Sequence, residues 1–428
     1  MNIYIKTFGC KVNSFESAAT AELLRARGHN IIESELNADS VIINSCTVTS
    51  GGDKKTQQYM RHIRRENPKC IIMLMGCFCQ AFPDRAEKLS EADIVVGTGN
   101  RQHAVDLLCE FYNTHRRVVD IEPNRGKPYE PLAASMPDGH TRAFLKIEDG
   151  CDRYCSYCII PYARGSVRSL PIGLLSEQIK SLAANGFSEI VLSGINLSCY
   201  GQGTDYDLAD AAAVAALPEE IVRIRLGSLE ADIITDEIIK KLASNSKLCP
   251  QFHPSLQSGC DATLKRMNRH YTTAEYCTFV DKLRASFDRA TFTTDVIVGF
   301  PGETEQEFEQ SLEFVESIGF LKVHVFPYSL RDGTVASKMP NQIDKAEKER
   351  RVMLMSQAAE RSRERVMNSF VGTKARVILE QPTASGAFDG YTDRYLPALV
   401  YGNNLHGHDI VEGIIDRIED DKCIIVLK

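Results

Sequence analysis

Three cysteines, Cys151, Cys155 and Cys158, stand in the run Gly150-Cys-Asp-Arg-Tyr-Cys-Ser-Tyr-Cys158. Three thiolates in so short a loop can face one metal centre. A cubane cluster has four irons, so three cysteine ligands leave one iron without a protein thiolate. A metal site that keeps an open position is built for catalysis, whereas a purely structural one closes it. The C-x3-C-x2-C rhythm differs from the paired C-x2-C of common zinc modules. A zinc site completed by a distant ligand and a chance grouping of thiols are the alternatives. An open iron–sulfur cluster is the better reading.

Cys10, Cys46 and Cys77 are far apart in the chain, yet each directly follows a run that reads as a strand. The runs are Tyr4-Ile-Lys-Thr-Phe-Gly-Cys10, Val41-Ile-Ile-Asn-Ser-Cys46 and Ile72-Met-Leu-Met-Gly-Cys77. In a parallel sheet the carboxyl ends of the strands share one edge, where open α/β sheets bind ligands. The three thiols are therefore expected to converge and to hold a second cluster, again with three protein thiolates. Two of the three follow a glycine, which lets the backbone approach a bulky group closely. Cys79 competes with Cys77 for one place, and any of these thiols could instead be a small core residue. Cys70, Cys109, Cys199, Cys249, Cys260, Cys277 and Cys423 read as core or incidental thiols.

A chain of 428 residues is too long for one core and implies two or three domains. Buried parallel strands are expected at Ile3–Thr7, Val41–Asn44, Ile71–Met75 and Ile94–Val96. A helix is expected from Ser14 to Arg27, capped by Ser14 or Asn13 and stopped at Gly28, and another from Asp53 to Glu66. Residues 1–121 thus read as a doubly wound α/β domain. Pro123, Pro128, Pro131 and Pro137 mark a linker over 122–140. From 141 to 345 about six β/α units suit a partial (β/α) barrel, whose chemistry sits at the strand C-terminal ends. Its strands are expected at Ala143–Ile147, Glu189–Ser193, Ile221–Leu226, near Phe252, at Thr291–Val298 and at Lys322–Phe326. A charged connecting helix over 346–369 leads to short glycine-punctuated strands over 370–428, the pattern of a small all-β barrel.

The composition is ordinary for a globular protein, at 43% hydrophobic and 25% charged. No apolar run is long enough to span a bilayer, so no membrane partner is expected. Met1-Asn-Ile-Tyr-Ile reads as a strand rather than a leader. Fourteen cysteines in such a chain suit metal ligation in a reducing, cytoplasmic setting. The net charge of −7 argues against a general nucleic-acid coat, although local patches decide binding. The two basic stretches are Lys54, Lys55, Arg61, Arg64 and Arg65, and Lys348, Arg350, Arg351, Arg361, Arg363 and Arg365. On charge alone both read as solvated helix faces with intermixed glutamate.

The chain resembles the radical S-adenosylmethionine (SAM) methylthiotransferases over nearly its whole length. The matching motifs are Thr7-Phe-Gly-Cys-Lys-Val-Asn13, Asn44-Ser-Cys-Thr-Val-Thr49, Gly76-Cys77 with Gln80, and the Cys151–Cys158 loop. Others are Ile160-Pro-Tyr-Ala-Arg-Gly165, Leu192-Ser-Gly-Ile-Asn196, Leu256-Gln-Ser-Gly259 and Thr294-Asp-Val-Ile-Val-Gly-Phe-Pro-Gly-Glu-Thr304. Cys-Lys-Val-Asn at the first cysteine and Gly390-Tyr-Thr-Asp-Arg-Tyr395 look most like the MtaB-type branch. That branch acts on N6-threonylcarbamoyladenosine at position 37 of tRNA. The MiaB-type branch, acting on isopentenyladenosine, and the RimO-type branch, acting on a ribosomal-protein aspartate, are the enzyme alternatives. A metal-containing RNA-binding protein is the non-enzyme alternative. The chain departs from the family pattern at Cys79, Leu170 and Gly227-Ser228, and its terminal barrel carries more Asp and Glu than Lys and Arg.

The resemblance implies an N-terminal methylthiotransferase domain, a radical SAM barrel and a TRAM-type barrel. It implies two 4Fe-4S clusters and SAM as cofactors. Cys151, Cys155 and Cys158 would serve radical formation, and Cys10, Cys46 and Cys77 would hold the sulfur to be transferred. Gly194, Ile195, Asn196, Glu230, Gln257, Arg269 and Asp295 are the residues expected at SAM, and Arg164 and Arg168 those expected at substrate. Tyr391 and Tyr395 could stack on bases, although packing is the better expectation for tyrosines in a short barrel. The implied partners are a tRNA anticodon stem-loop, a sulfur donor and an electron donor such as flavodoxin or ferredoxin.

Overall fold

The computed structural model describes residues 1–124, 126–133, 141–384 and 386–427. Its first body is a sheet of six strands, in the spatial order Asn30–Ile31, Asn2–Thr7, Ser40–Ser45, Ile71–Gly76, Ile94–Val96 and Val118–Asp120. Every pairing is parallel. The two central strands are buried along their whole length because helices cover both faces. Alternation sends Val41, Ile43, Ile72 and Leu74 into one layer, and Ile42, Met73 and Ile94 into the other. The two outer strands escape the sequence pattern, being only two and three residues long. The chain reverses its winding direction between Asn2–Thr7 and Ser40–Ser45, and at such a switch point the loops splay into a crevice. Cys10 and Cys46 lie in the loops that follow those two strands.

The first helix runs over Lys11–Arg25 and so begins earlier than expected, with Cys10 at its N-cap. Asn13 does not cap it, because its amide donates to the Phe8 carbonyl at 2.9 Å and the Ser45 carbonyl at 3.0 Å. One side chain thereby ties the Cys10 loop to the Cys46 loop. The second helix, Ser50–Glu66, also starts early, capped by the Thr49 hydroxyl accepting from Gly52 N.

The second body is an open barrel of parallel strands. Arg142–Lys146, Glu189–Ser193 and Arg223–Leu226 form one segment, and Ser228–Leu229, Gln251–Pro254, Thr291–Val298 and Lys322–Pro327 the other. Gly227 interrupts what would otherwise be one strand, and an Ile224–Leu248 bridge spans the break. Ala143, Leu145, Ile190, Leu192, Ile224 and Leu226 belong to the hydrophobic core. By alternation Phe144, Glu189, Arg225, Asp295 and His324 turn to the interior, which is unusually polar.

The third body is a closed barrel of Lys374–Pro382, Phe388–Thr392, Pro397–Tyr401, Lys422–Leu427 and Ile410–Glu419. It docks on the amino ends of the open barrel's strands. Arg225 donates to the carbonyls of Thr392 at 2.7 Å and Asp393 at 2.8 Å, and Arg223 to that of Tyr391 at 3.1 Å. Tyr391 and Tyr395 stack at 4.7 Å, with the Arg142 guanidinium 4.9 Å from the Tyr391 ring. Their rings therefore serve packing. The connecting helix, Lys345–Asn368, has its arginines paired, Arg351 with Glu303 at 2.7 Å and Arg350 with Glu347 at 2.8 Å. Among the described residues no helix is long and apolar enough to cross a membrane. Residues 125 and 134–140 of the expected linker, including Pro137, lie outside the described residues, as does Lys428.

Candidate site between two cysteine trios

The Cys151–Cys158 loop leaves the first barrel strand through Gly150, whose φ is +90°. Cys151 N donates to the Gly165 carbonyl at 3.0 Å, and Ser156 N to that of Met267 at 2.9 Å. Anchored at both points, the loop holds its thiols close enough to act on one another. Burial pushes the Cys151 thiol up to about 11 and the Cys158 thiol to about 12, and the adjacent Cys155 adds to both. A Cβ at Gly150 would run into the Ser166 carbonyl, in a conformation that side chains rarely adopt. Gly150→Ala is therefore expected to cost about 1–3 kcal/mol and to lower iron retention by this loop. Iron content and a melt would show it against Gly173→Ala, whose Cβ meets nothing within 4 Å. Wild-type iron and melting in Gly150→Ala would contradict it.

The structure brings Cys10, Cys46 and Cys77 together. A Cβ on Gly9 would stand 2.9 Å from the Cys46 Cβ, so the glycine permits the approach of those two loops. Cys77 is buried, and burial pushes its thiol up to about 12; Arg164 acts against this, while Glu16, Cys10 and Cys46 reinforce it. Cys79 turns away. Two helical positions apart it faces the opposite side, where its Sγ meets the Leu74 carbonyl at 3.7 Å among Phe78 and Cys70. That geometry leaves Cys77, and not Cys79, beside Cys10 and Cys46.

Arg164 is the main correction. It was expected at the substrate, but it is fully buried and its N–H groups are taken. Nε donates to Cys77 Sγ at 3.2 Å, and one terminal nitrogen to Asn13 Oδ1 at 3.1 Å, while both reach Glu16. Glu16 also meets Arg101 at 2.7 Å and Lys146 at 2.8 Å, and Lys146 meets Asp149 at 2.8 Å. Arg168 is likewise engaged, with Asp149 at 3.1 Å and the Arg164 carbonyl at 2.8 Å. A buried ionic cluster thus joins the sheet to the barrel. Nothing in the spacing of Glu16, Arg101, Lys146 and Asp149 announces it.

Of the residues expected at SAM, Gly194, Ile195 and Asn196 form one loop beside Cys151. Asn196 Nδ2 lies 3.9 Å from Cys151 Sγ and 3.3 Å from Cys199 Sγ. Beneath them is Glu148, which the sequence reading missed. Its Oε2 accepts from Asn196 N at 2.6 Å and would stand 2.5 Å from a Cβ on Gly194. Burial raises the Glu148 carboxyl well above the usual carboxylate range, despite the hydrogen bond from Asn196. Glu148 Oε1 and Asn196 Oδ1 are buried without a hydrogen-bond partner among the described residues. Arg269 donates to Cys155 Sγ at 3.2 Å and pairs with Glu230. Gln257 follows the strand Gln251–Pro254 and Asp295 lies on Thr291–Val298, joined by Gln257 N donating to the Asp295 carbonyl at 2.8 Å. Asp295 faces His253 Nε2 at 3.5 Å, and neither Gln257 nor Asp295 hydrogen bonds a cysteine among the described residues.

All fourteen cysteines are free. Among the described residues no three or more His, Cys, Asp or Glu side chains close on one point as a mononuclear ion requires. A cubane spreads its thiolates around a cube, and two trios of neighbouring thiols are chemically suited to such clusters. The unpartnered Glu148 and Asn196 oxygens fit the amino group of SAM.

The chain matches the Radical SAM superfamily over residues 145–315 and the uncharacterized protein family UPF0004 over residues 2–97. It is 38% identical over 405 residues to the threonylcarbamoyladenosine tRNA methylthiotransferase MtaB of Thermotoga maritima, covering 94% of this chain and 92% of that one. The protein of that name from Bacillus subtilis is 37% identical, with 92% and 89% covered. A tRNA-2-methylthio-N(6)-dimethylallyladenosine synthase of Staphylococcus epidermidis is 31% identical, with 91% and 78% covered. Among solved structures, a radical SAM methyltransferase from Kitasatospora setae with cobalamin and a 4Fe-4S cluster superposes with a TM-score of 0.58. It is 13% identical, with 78% of this chain and 77% of that chain covered, and shows the fold alone.

Proposed function

The chain belongs to the radical SAM methylthiotransferase family, and we propose from that membership that it methylthiolates C2 of N6-threonylcarbamoyladenosine at position 37 of tRNA. SAM and two 4Fe-4S clusters are its cofactors. One observation supports this reading above the others. The helix Ile160–Arg164, which follows the Cys151–Cys158 loop, sends Arg164 to 3.2 Å from Cys77. The two trios therefore border one space, as sulfur transfer to a radical-activated carbon requires.

When bound, the clusters and SAM supply one-electron cleavage of the sulfonium and the sulfur and methyl groups to be transferred. The chain supplies position and exclusion of water. Cys151, Cys155 and Cys158 hold one cluster, and Cys10, Cys46 and Cys77 the other. Glu148, whose carboxyl burial raises well above the usual carboxylate range, and Asn196 offer their free oxygens to the amino group of SAM. Arg269, held by Glu230, donates to Cys155. Val48 and Phe326 leave apolar surface exposed, at 53% and 43%, where a purine can lie. Lys54 and Lys55 are exposed on the helix Ser50–Glu66, and no carboxylate pairs with either among the described residues. They are suited to tRNA phosphates. A flavodoxin or ferredoxin would deliver the electron, a separate donor would restore sulfur, and the setting is the cytoplasm.

Mass spectrometry of tRNA nucleosides from a host lacking this gene, with and without its restoration, tests the reading. The 2-methylthio form of N6-threonylcarbamoyladenosine is expected only when the gene is present. A methylthio group on isopentenyladenosine instead would keep the chemistry and overturn the substrate.

A further inference from the structure

We propose that Lys11 holds the carboxylate of the threonylcarbamoyl arm and thereby sets which modified adenosine the site accepts; the proposal rests on the substrate reading above. Lys11 opens the helix Lys11–Arg25, immediately after Cys10, and no acidic residue occupies that helix's first turn. A cation is disfavoured at the positive end of a helix. Its surroundings add to the penalty, through partial desolvation and the like charge of Arg142 and Arg225, with the Tyr395 phenol and the Cys10 thiol acting the other way. Those two arginines are themselves engaged, Arg225 with Glu189 at 2.7 Å and Arg142 with Glu380. Among the described residues no carboxylate or hydrogen-bond acceptor pairs with Lys11 Nζ.

The ammonium also points at the right place. It lies 5.6 Å from the Phe144 ring, on the first strand of the open barrel, and His324, on the last strand, feels its charge. Lys11 therefore reaches the gap between first and last strands, beside the sulfur-holding trio. An adenine presented to that trio through C2 carries its N6 arm only a few bonds away. A threonylcarbamoyl arm ends in a carboxylate, which an exposed, unpaired ammonium flanked by like charge binds by a charge-assisted hydrogen bond. An isopentenyl arm offers nothing to it. A lysine left without a partner here discriminates by what it lacks when the wrong arm is bound.

The test compares wild type, Lys11→Met and Lys11→Arg, each with reconstituted clusters, on three anticodon stem-loops. One bears the threonylcarbamoyl arm as free acid, one its methyl ester, and one an isopentenyl arm. Lys11→Met is expected to lower kcat/KM on the free acid by about 10- to 100-fold, with stem-loop affinity falling alongside. On the ester, wild type and Lys11→Met are expected to be equal, and Lys11→Arg to keep most of the preference for the acid. Iron content is expected to match wild type in all three. An equal fall on acid and ester would assign Lys11 to a backbone phosphate or to structure and overturn the proposal, as would no fall at all. Wild type inactive on the acid but active on the isopentenyl stem-loop would overturn the substrate reading itself, an outcome visible before any variant is compared.

Discussion

Cys155→Ala is expected to abolish reductive cleavage of SAM while about half of the iron stays bound. The two trios belong to different sheets, so losing one thiolate from the barrel loop leaves the Cys10, Cys46 and Cys77 arrangement intact. Cys155 is the most buried thiol of its loop and the one to which Arg269 donates, at 3.2 Å. Its removal takes one acceptor from a buried guanidinium that keeps Glu230, Tyr271 and the Ser255 carbonyl as partners. The pocket wall therefore stays paired, and the loss falls on the cluster ligand. Quantifying 5′-deoxyadenosine under strong reductant, together with iron, distinguishes the outcomes. Cleavage at the wild-type rate would show that the loop does not carry the radical chemistry. Cys77→Ala should behave in the opposite sense, keeping SAM cleavage and losing the methylthio product.

The difference between those two variants also shows what the sequence could reveal. Cys151, Cys155 and Cys158 are legible because a loop writes its ligands in one stretch. Cys10, Cys46 and Cys77 are legible only through a rule of topology, that parallel strands end on one edge, and the observed strand order makes that edge a switch point. Cys79 could not be separated from Cys77 without the helix that turns them apart. In the first two bodies the alternation of strand and helix located the longer strands, because buried parallel strands are continuous apolar runs; the two-residue and three-residue edge strands carry no such run. The antiparallel strands of the closed barrel, Lys374–Pro382 and Ile410–Glu419 among them, were expected only as a pattern over 370–428. Arg164 illustrates the deeper limit. Charged residues are mostly exposed, so an arginine after a cluster loop reads as a substrate contact. Only three-dimensional convergence of Glu16 and Asp149, which Arg101 and Lys146 share, supplies the negative charge that allows its burial. Glu148 escaped for a related reason, since a strand-end acid gives no sign that it will be sealed beneath a glycine loop.

The same ionic cluster makes Arg164 the position where a single change should reach both stability and the sulfur site. Arg164→Met removes one cation from Glu16 and Asp149 and leaves them buried, a change that costs about 3–5 kcal/mol when a buried pair is broken. Burial raises both carboxyls, but Arg101, Arg164 and Lys146 overcome it and hold Glu16 well below the usual range. Lys146 and Arg164 likewise hold Asp149 down to about 2. Carboxyls depressed in the folded state stabilise it fully above their ordinary values near pH 4, and that stabilisation is lost as the pH falls toward 2. Without Arg164 both values rise, so the acid limb of the stability curve should move to higher pH. Melts at pH 7 and pH 4.5 should show a larger gap in Arg164→Met than in wild type. Arg164→Lys, which keeps the charge without the planar fork, should fall between them. The variant also loses the N–H that meets Cys77 Sγ at 3.2 Å. Hydrogen bonds to cluster sulfurs raise the reduction potential. An EPR-monitored titration of the Cys10, Cys46 and Cys77 cluster should therefore find a more negative midpoint in Arg164→Met, with the Cys151 loop unchanged. An unshifted midpoint alongside the loss of stability would confine Arg164 to holding the sheet against the barrel.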